Sequence, residues 1–304
     1  MKALWVLPAI LVLGSCALAD QQGEGRLVSD VCPLLDSGPL ARAHVADLPE
    51  GEALRAGEII ISQADVEDEI AKAPSDLRQQ LTRNRLLVLE QIVVKRLLAL
   101  EAEQWAKTTK REANETEAAR VQAYLGSIAA GVTVTDADLS RFYNENREML
   151  GGVSLEQVKP QLSSYVLRQK RDEAKQRHID SVGERVRIEV AKTWTEVQYR
   201  HLIDNPVDRA RLSGLPSVID FGAEGCVACD MMAPVLASLR DELAGQANVL
   251  FVDVRKEQVL GSRFGVRTIP VQVFFDRQGR DVYRHVGVFA EEQIKAKLSA
   301  LGIK

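Results

Sequence analysis

Ser217-Val-Ile-Asp-Phe221, an apolar run of strand type, passes through Gly222-Ala-Glu-Gly225 into Cys226-Val-Ala-Cys229 and then into a helix pattern running to about Gly245, with Pro234 inside it. A strand that meets a helix at a Cys-x-x-Cys turn sets two thiols about one helical turn apart at a helix N-terminus. That is the layout of a dithiol redox centre. Zinc ribbons use the same pair, but structural zinc takes four ligands, usually from a second pair. Of the four cysteines, the other two are Cys16 and Cys32, far upstream. No metal site is expected, and the only redox group expected is the Cys226/Cys229 disulfide itself.

The other end of the chain sets the compartment. Lys2 precedes an apolar run from Ala3 to Leu13 and then small residues, a secretory leader too short to count as a mature membrane span. Two cleavage readings compete. Ala17-Leu-Ala19 is an A-x-A site ahead of Asp20, giving a signal peptide over 1–19. Leu13-Gly-Ser-Cys16 resembles a bacterial lipobox that leaves Cys16 acylated as a membrane anchor, and it is slightly favoured although Gly14 is less usual there. Either reading exports the protein, to the periplasm and with lipid anchoring in the second case. No later stretch is apolar enough to span a bilayer. The leader carries Lys2 alone among charged residues, so the net charge of −4 becomes about −5 on its removal. A mildly acidic chain without basic clusters argues against nucleic-acid binding. With so few cysteines, an exported fold does not rest on structural disulfides, which leaves Cys226 and Cys229 free for chemistry.

The mature chain has two grammars. Residues 20–56 are dotted with Gly and Pro, show weak periodicity and read as an arm or tether. Residues 57–192 are helical and charged. Gly57 to Ile61 is a short strand candidate, and Ser62-Gln-Ala-Asp65 has the form of a capping box. Leu77, Leu81, Val88, Ile92 and Ala99 form one apolar stripe, and Leu86, Leu89, Val93, Leu97 and Leu100 form another. One long helix with so wide a band must be covered on two sides. Thr135-Asp-Ala-Asp138 and Ser154-Leu-Glu-Gln157 open two more helices, and Arg185 to Val190 alternates as a strand with one buried face.

This segment resembles the N-terminal chaperone module of SurA-type and parvulin-type periplasmic prolyl isomerases, over about 56–190. The likeness rests on Ala56-Gly-Glu-Ile before Ser62-Gln-Ala-Asp, on Val132-Thr-Val-Thr-Asp136 leading into Phe142-Tyr-Asn-Glu145, and on Val158-Lys-Pro-Gln161 before Gln169-Lys-Arg-Asp172. The parvulin catalytic domain that would follow is absent, so no isomerase activity is expected. The resemblance implies a cradle for unfolded polypeptide; a spacer or dimerisation domain is the other reading, and the residues do not choose between them.

The second grammar, residues 193–304, begins with Asn205-Pro206 as a helix start and Gly214 as its stop. Asn248 to Asp253 is a strand, Glu257 to Phe264 a helix, Val271 to Phe275 and Asp281 to Val286 a hairpin turning at Gln278-Gly279, and Glu291 to Leu301 a closing helix. This order resembles the thioredoxin family, from about Val197 to Lys304. Asp220 matches the buried acid, Met232-Ala-Pro234 the helix-kinking proline, Gly265-Val-Arg-Thr-Ile-Pro270 the loop whose proline is cis, and Val286-Gly287 the glycine beside the binding groove. Cys-Val-Ala-Cys is also the motif of the C-terminal domain of the DsbD transmembrane reductase. The expected architecture is an α/β thioredoxin fold, a mixed sheet flanked by helices, preceded by the mainly α-helical module. The resemblance implies that Gly225, Val227, Ile269, Pro270 and Gly287 line the substrate groove. Two positions depart from the family: Gly225 stands where Trp is usual, and Phe251 where a lysine often accompanies the buried acid.

The chemistry follows from position. The dipole and free N–H groups at a helix start stabilise a thiolate, so Cys226 is the expected nucleophile and forms a mixed disulfide with substrate. Cys229 then attacks that bond and releases the substrate reduced. Burial raises a carboxyl pKa, which makes Asp220 a proton acceptor for Cys229 or else a satisfied buried polar group. If Pro270 is cis, the backbone of Ile269 is open to an extended substrate strand. Ile269 resembles the reducing members, and Asp230 mildly disfavours the thiolate, so the chain reads as a protein-disulfide reductase or isomerase. The resemblance implies an electron donor of the DsbD or CcdA membrane kind, and protein clients carrying disulfides or unfolded segments. A periplasmic holdase with the second domain as scaffold, and an apocytochrome c thiol reductase, are the other readings. Cys32, the scattered His44, His178, His201 and His285, and the packing candidates Trp105 and Trp194 carry no expected role.

Overall fold

The computed structural model of the protein describes residues 25–303 apart from 36, 111–114, 146 and 148–151. The leader, both cleavage readings and acylation of Cys16 lie outside the described residues. Among the described residues no helix is long and apolar enough to cross a membrane.

The first domain opens with a one-turn helix α1 (Val28–Val31), a 3-10 turn (Pro39–Arg42) and strands β1 (His44–Ala46), β2 (Glu52–Ala56) and β3 (Ile59–Ser62). Helices α2 (Gln63–Lys72), α3 (Ser75–Arg83), α4 (Arg85–Thr109), α5 (Glu117–Ile128), α6 (Asp136–Glu145), α7 (Leu155–Asp180) and α8 (Val182–Arg185) follow. Strand β4 (Ile188–Ala191) then returns to complete a sheet in the order β1-β4-β2-β3, and α9 (Lys192–Leu202) closes the unit.

Three expectations change here. Residues 20–56 read as a tether, yet within them Val28, Cys32, Leu40, Ala43, Ala53 and Leu54 are at most 2% exposed and belong to the first core. β1 pairs in parallel with β4, Val45 opposite Val190, and β2 is the antiparallel neighbour of both β3 and β4. One-turn helices and strands of three to five residues are too short for a 2.0 or 3.6 period to show. The single long helix breaks at Asn84, whose side-chain N–H donates to the Gln80 carbonyl at 2.7 Å, a local bond that competes with the helix ladder. The second stripe is buried from Leu86 to Leu97, but Leu100 is 54% exposed. The domain boundary set at residue 193 also moves. Tyr199 and Leu202, with Trp194 and Ile203 against them, pack into the first core, so α9 belongs there and the switch comes at Asn205-Pro206.

The capping box expected at Ser62 is present, and the helix start expected at Ser154 has one as well. Ser62 and Asp65 exchange bonds at 3.0 and 2.8 Å at the head of α2, and Ser154 with Gln157 does the same for α7.

The second domain runs α10 (Pro206–Arg211), β5 (Ser217–Gly222), α11 (Val227–Glu242), β6 (Asn248–Asp253), α12 (Gln258–Arg263), β7 (Val271–Phe275), β8 (Asp281–Val286) and α13 (Glu291–Ala300). Its sheet has the order β6-β5-β7-β8, with β5 parallel to β6 and antiparallel to β7. Alternation along β5 sorts the two faces. Val218 packs with Met232, Leu236 and Leu298 under α11 and α13, whereas Ile219 and Phe221 pack with Val207, Leu260 and Phe264 under α10 and α12. Asp220 and Gly222 therefore face α11, the helix that begins at the dithiol. Asp208, fully buried on α10, is held by Arg211 and Arg263, and Arg211 stacks over Phe264 and Phe275.

Candidate functional site

The dithiol lies where three chain segments end together. β5 delivers the 223–226 loop, and Cys226 is the N-cap of α11. Phe221 is opposite Val271, so Pro270 stands level with Gly222 at the end of β5. Val271 is opposite Val286, and the next N–H along, that of Gly287, donates to the Pro270 carbonyl at 2.8 Å. The Ile269–Pro270 peptide is cis, as the loop pattern implied. Residues up to 65 positions apart, Gly222 and Gly287, thus meet at one rim, with Val227 80% and Met231 57% exposed beside them.

Cys226 and Cys229 are joined as a disulfide. Cys226 is half-buried, and its sulfur accepts the Cys229 N–H at 3.4 Å, the use of a free helix N–H that the sequence anticipated. Cys229 is only 3% exposed. What backs it is Gly222: a Cβ built there would stand 3.2 Å from the Cys229 Cβ and 3.3 Å from its sulfur, and 2.7 Å from the Phe251 ring. A side chain at 222 has no room, so glycine is what lets the strand approach the buried sulfur.

Asp220 is fully buried on that same face. Its Oδ1 accepts from Gln272 Nε2 at 2.6 Å, while Oδ2 has no hydrogen-bond partner among the described residues. Burial pushes its carboxyl up to about 6, against the opposing effect of the Gln272 bond. Phe251, in register with Asp220 on β6 and 40% exposed, brings no charge to the pair. The acid is tuned by burial and an amide in place of a cation. Gln272 was missed; its signal was one polar residue inside Val271-Gln-Val-Phe-Phe275, a run otherwise apolar on both faces.

Gly225 adds a backbone reason to the missing aromatic. Its φ is 73°, in the left-handed region that L side chains rarely adopt.

The remaining candidates fall away from the site. Cys32 is fully buried and its thiol is pushed up to about 12, first by burial and then by the Glu196 charge. His178 packs in the first domain, 2.9 Å from Glu101 and 3.2 Å from the Tyr124 hydroxyl. His285 stacks on Phe289 at 3.9 Å, and Trp105 lies against Tyr124. Among the described residues no group of His, Cys, Asp and Glu could hold a metal ion.

A mixed sheet with helices on both faces, carrying a Cys-x-x-Cys at the head of a helix opposite a proline-led strand, defines a thioredoxin-fold dithiol protein. Known proteins agree. The Thioredoxin family model matches residues 204–300. The thioredoxin of Haemophilus influenzae is 35% identical over 82 residues, 27% of this chain and 76% of that protein. That of Alicyclobacillus acidocaldarius is 33% identical over 98 residues, 32% of this chain and 92% of its own. A thioredoxin-like protein of Synechocystis sp. is 32% identical over 83 residues, 27% and 78% of the two chains. The chain belongs to the thioredoxin family through its second domain, and is a thioredoxin-like redox protein with the thiol–disulfide oxidoreductase character of that family.

Proposed function

We propose that this chain is an exported reductase or isomerase of protein disulfides, working through Cys226 and Cys229. One observation carries the reading: a half-buried Cys226 sulfur at a helix N-cap, one turn from a buried Cys229 that Gly222 admits to the face holding Asp220. In the reduced protein the Cys226 thiolate attacks a client disulfide. A bond forms between Cys226 Sγ and one client sulfur, and the other leaves and takes up a proton. The Asp220 carboxylate accepts the Cys229 proton; Cys229 Sγ then attacks Cys226 Sγ, closing the intramolecular disulfide and expelling the second client sulfur. Two electrons pass to the client. The closed disulfide needs two electrons back, for which a membrane thiol reductase of the DsbD or CcdA kind is the proposed donor.

The groove for an extended client segment comprises Gly225, Val227, Ile269, Pro270 and Gly287. Residues 57–192, within the first domain, act as a SurA-like module that recruits clients or the donor, in the periplasm, with anchoring through an acylated Cys16. Insulin reduction by dithiothreitol tests the redox core. Wild type should accelerate precipitation and Cys226→Ser should not. A wild type no faster than dithiothreitol alone sinks the reading, and suppression of client aggregation by that inert protein would leave the holdase in its place.

A further inference from the structure

Helix α3 of the first domain reaches the second domain close to the dithiol. There the carboxamide of Gln80 spans two backbone groups: Nε2 donates to the Lys256 carbonyl at 2.9 Å, and Oε1 accepts the Val259 N–H at 3.1 Å. Glu257, the N-cap residue of α12, forms no side-chain cap of its own. Gln80 therefore supplies, from another domain, an acceptor that the first turn of α12 lacks. Arg83 faces Glu257 at 4.0 Å, but both side chains are nearly half exposed and such a pair adds little.

On its other side the same turn holds the dithiol loop. Lys256 Nζ pairs with Glu224 Oε1 at 2.5 Å, Arg255 Nη1 donates to the Glu224 carbonyl at 2.8 Å, and the Glu224 N–H donates to Asp253 Oδ2 at 3.4 Å. Glu224 stands two residues before Cys226. Two of these three bonds, like both from Gln80, involve backbone, and Asp253 is itself fixed by backbone, since its Oδ1 accepts the Arg255 N–H at 2.9 Å. Backbone bonds set the path of a loop, whereas exposed side-chain pairs merely decorate it.

We infer that Gln80 is a positioning residue for the dithiol, tying the first domain to the 253–259 turn and, through Glu224, setting the loop that carries Cys226. The inference rests on the redox reading above and adds that the helical domain acts on the reactivity of Cys226. A client or partner that displaces α3 loosens that loop.

The test uses the full chain with Gln80→Leu, which keeps the size and removes both bonds, and Gln80→Glu, which keeps only the acceptor for Val259. Amide hydrogen exchange and the pH profile of Cys226 alkylation by iodoacetamide are measured on the reduced proteins. Gln80→Leu should exchange about tenfold faster at both 256–260 and 224–226, the factor one net hydrogen bond is worth, and should shift the alkylation profile. Gln80→Glu should fall between it and wild type. Faster exchange confined to 256–260, with 224–226 and the alkylation profile as in wild type, overturns the inference. A wild type whose Cys226 alkylates like an ordinary peptide thiol overturns the redox reading instead, and exchange at 224–226 still decides the role of Gln80. Should Gln80→Leu fail to fold, Gln80→Glu carries the same comparison.

Discussion

Gln272 Nε2 donates to Asp220 Oδ1 at 2.6 Å, from β7 to the facing residue of β5, and neither residue is exposed to solvent. Burial favours the neutral acid and the amide bond favours the carboxylate, with burial the larger. The balance leaves an acid that ionises near pH 6 with one oxygen, Oδ2, unpartnered among the described residues on the face that Cys229 shares.

Gln272→Leu removes the one donor that stabilises the ionised form. A hydrogen bond to a charged group is worth roughly 1.5–3 kcal/mol, so the Asp220 midpoint should climb by about one to two pH units. The midpoint is followed through the carboxyl carbon resonance of Asp220, and the pH profile of insulin reduction should move upward with it. An unchanged or lowered midpoint would show that Gln272 does not act on the acid.

Asp220 also leaves a mark on stability. Its folded pKa, about 6, lies above the unfolded value of 3.8, so folding favours the protonated form. The favourable state is fully present below pH 3.8 and is lost as pH rises through about 6; above that a constant penalty remains, about 3 kcal/mol by linkage. Glu90, raised to about 7 chiefly by burial, declines over an overlapping window, so the variant difference isolates Asp220. Asp220→Asn should match wild type in urea unfolding near pH 3.5 and exceed it at pH 8, while insulin turnover falls. The Gln272 Oε1, buried without a partner among the described residues, is available to the new amide. Equal stability at pH 8 would contradict the buried-acid account.

The second domain was legible because its elements are long enough to show a period and because Cys226, Cys229, Ile269 and Pro270 stand at element ends, where residue type and backbone role coincide. Residues 25–56 were not. Val28, Cys32, Leu40 and Leu54 each sit on or beside an element too short to repeat, and they share a core with Ile188 and Val190 of β4, more than 130 positions later. Helix α9 was assigned to the wrong side because an amphipathic stripe of Trp194, Tyr199 and Leu202 does not say which core it faces. Gln80 carried no local signal at all, since its partners lie 176 and 179 residues away.

Restoring the aromatic at position 225 tests whether its absence concerns partners or backbone. With φ at 73° and nothing within 4 Å of a Cβ built there, Gly225→Trp meets conformational strain while its Cβ meets no neighbour. A left-handed residue with a side chain costs roughly 1–2 kcal/mol, and Asn, which tolerates the region, should cost less. Urea midpoints of the three proteins should rank Gly, Asn, Trp. A tryptophan variant as stable as the parent would mean that this loop takes another conformation in solution.

The segment before β3 offers the sharpest test of the domain organisation. A tether tolerates truncation of its side chains, whereas a core strand does not. Leu54 is fully buried on β2, opposite Ile61 on β3 and Val190 on β4, so Leu54→Ala leaves a cavity between two strand neighbours. Such substitutions cost about 2–5 kcal/mol. In the full chain, urea unfolding followed at Trp105 and Trp194, both in the first domain, should shift to lower denaturant, while the dithiol domain keeps its insulin-reducing activity at low urea. If the tryptophan transition stays where it was, residues 25–56 are peripheral after all and the first core begins at α2.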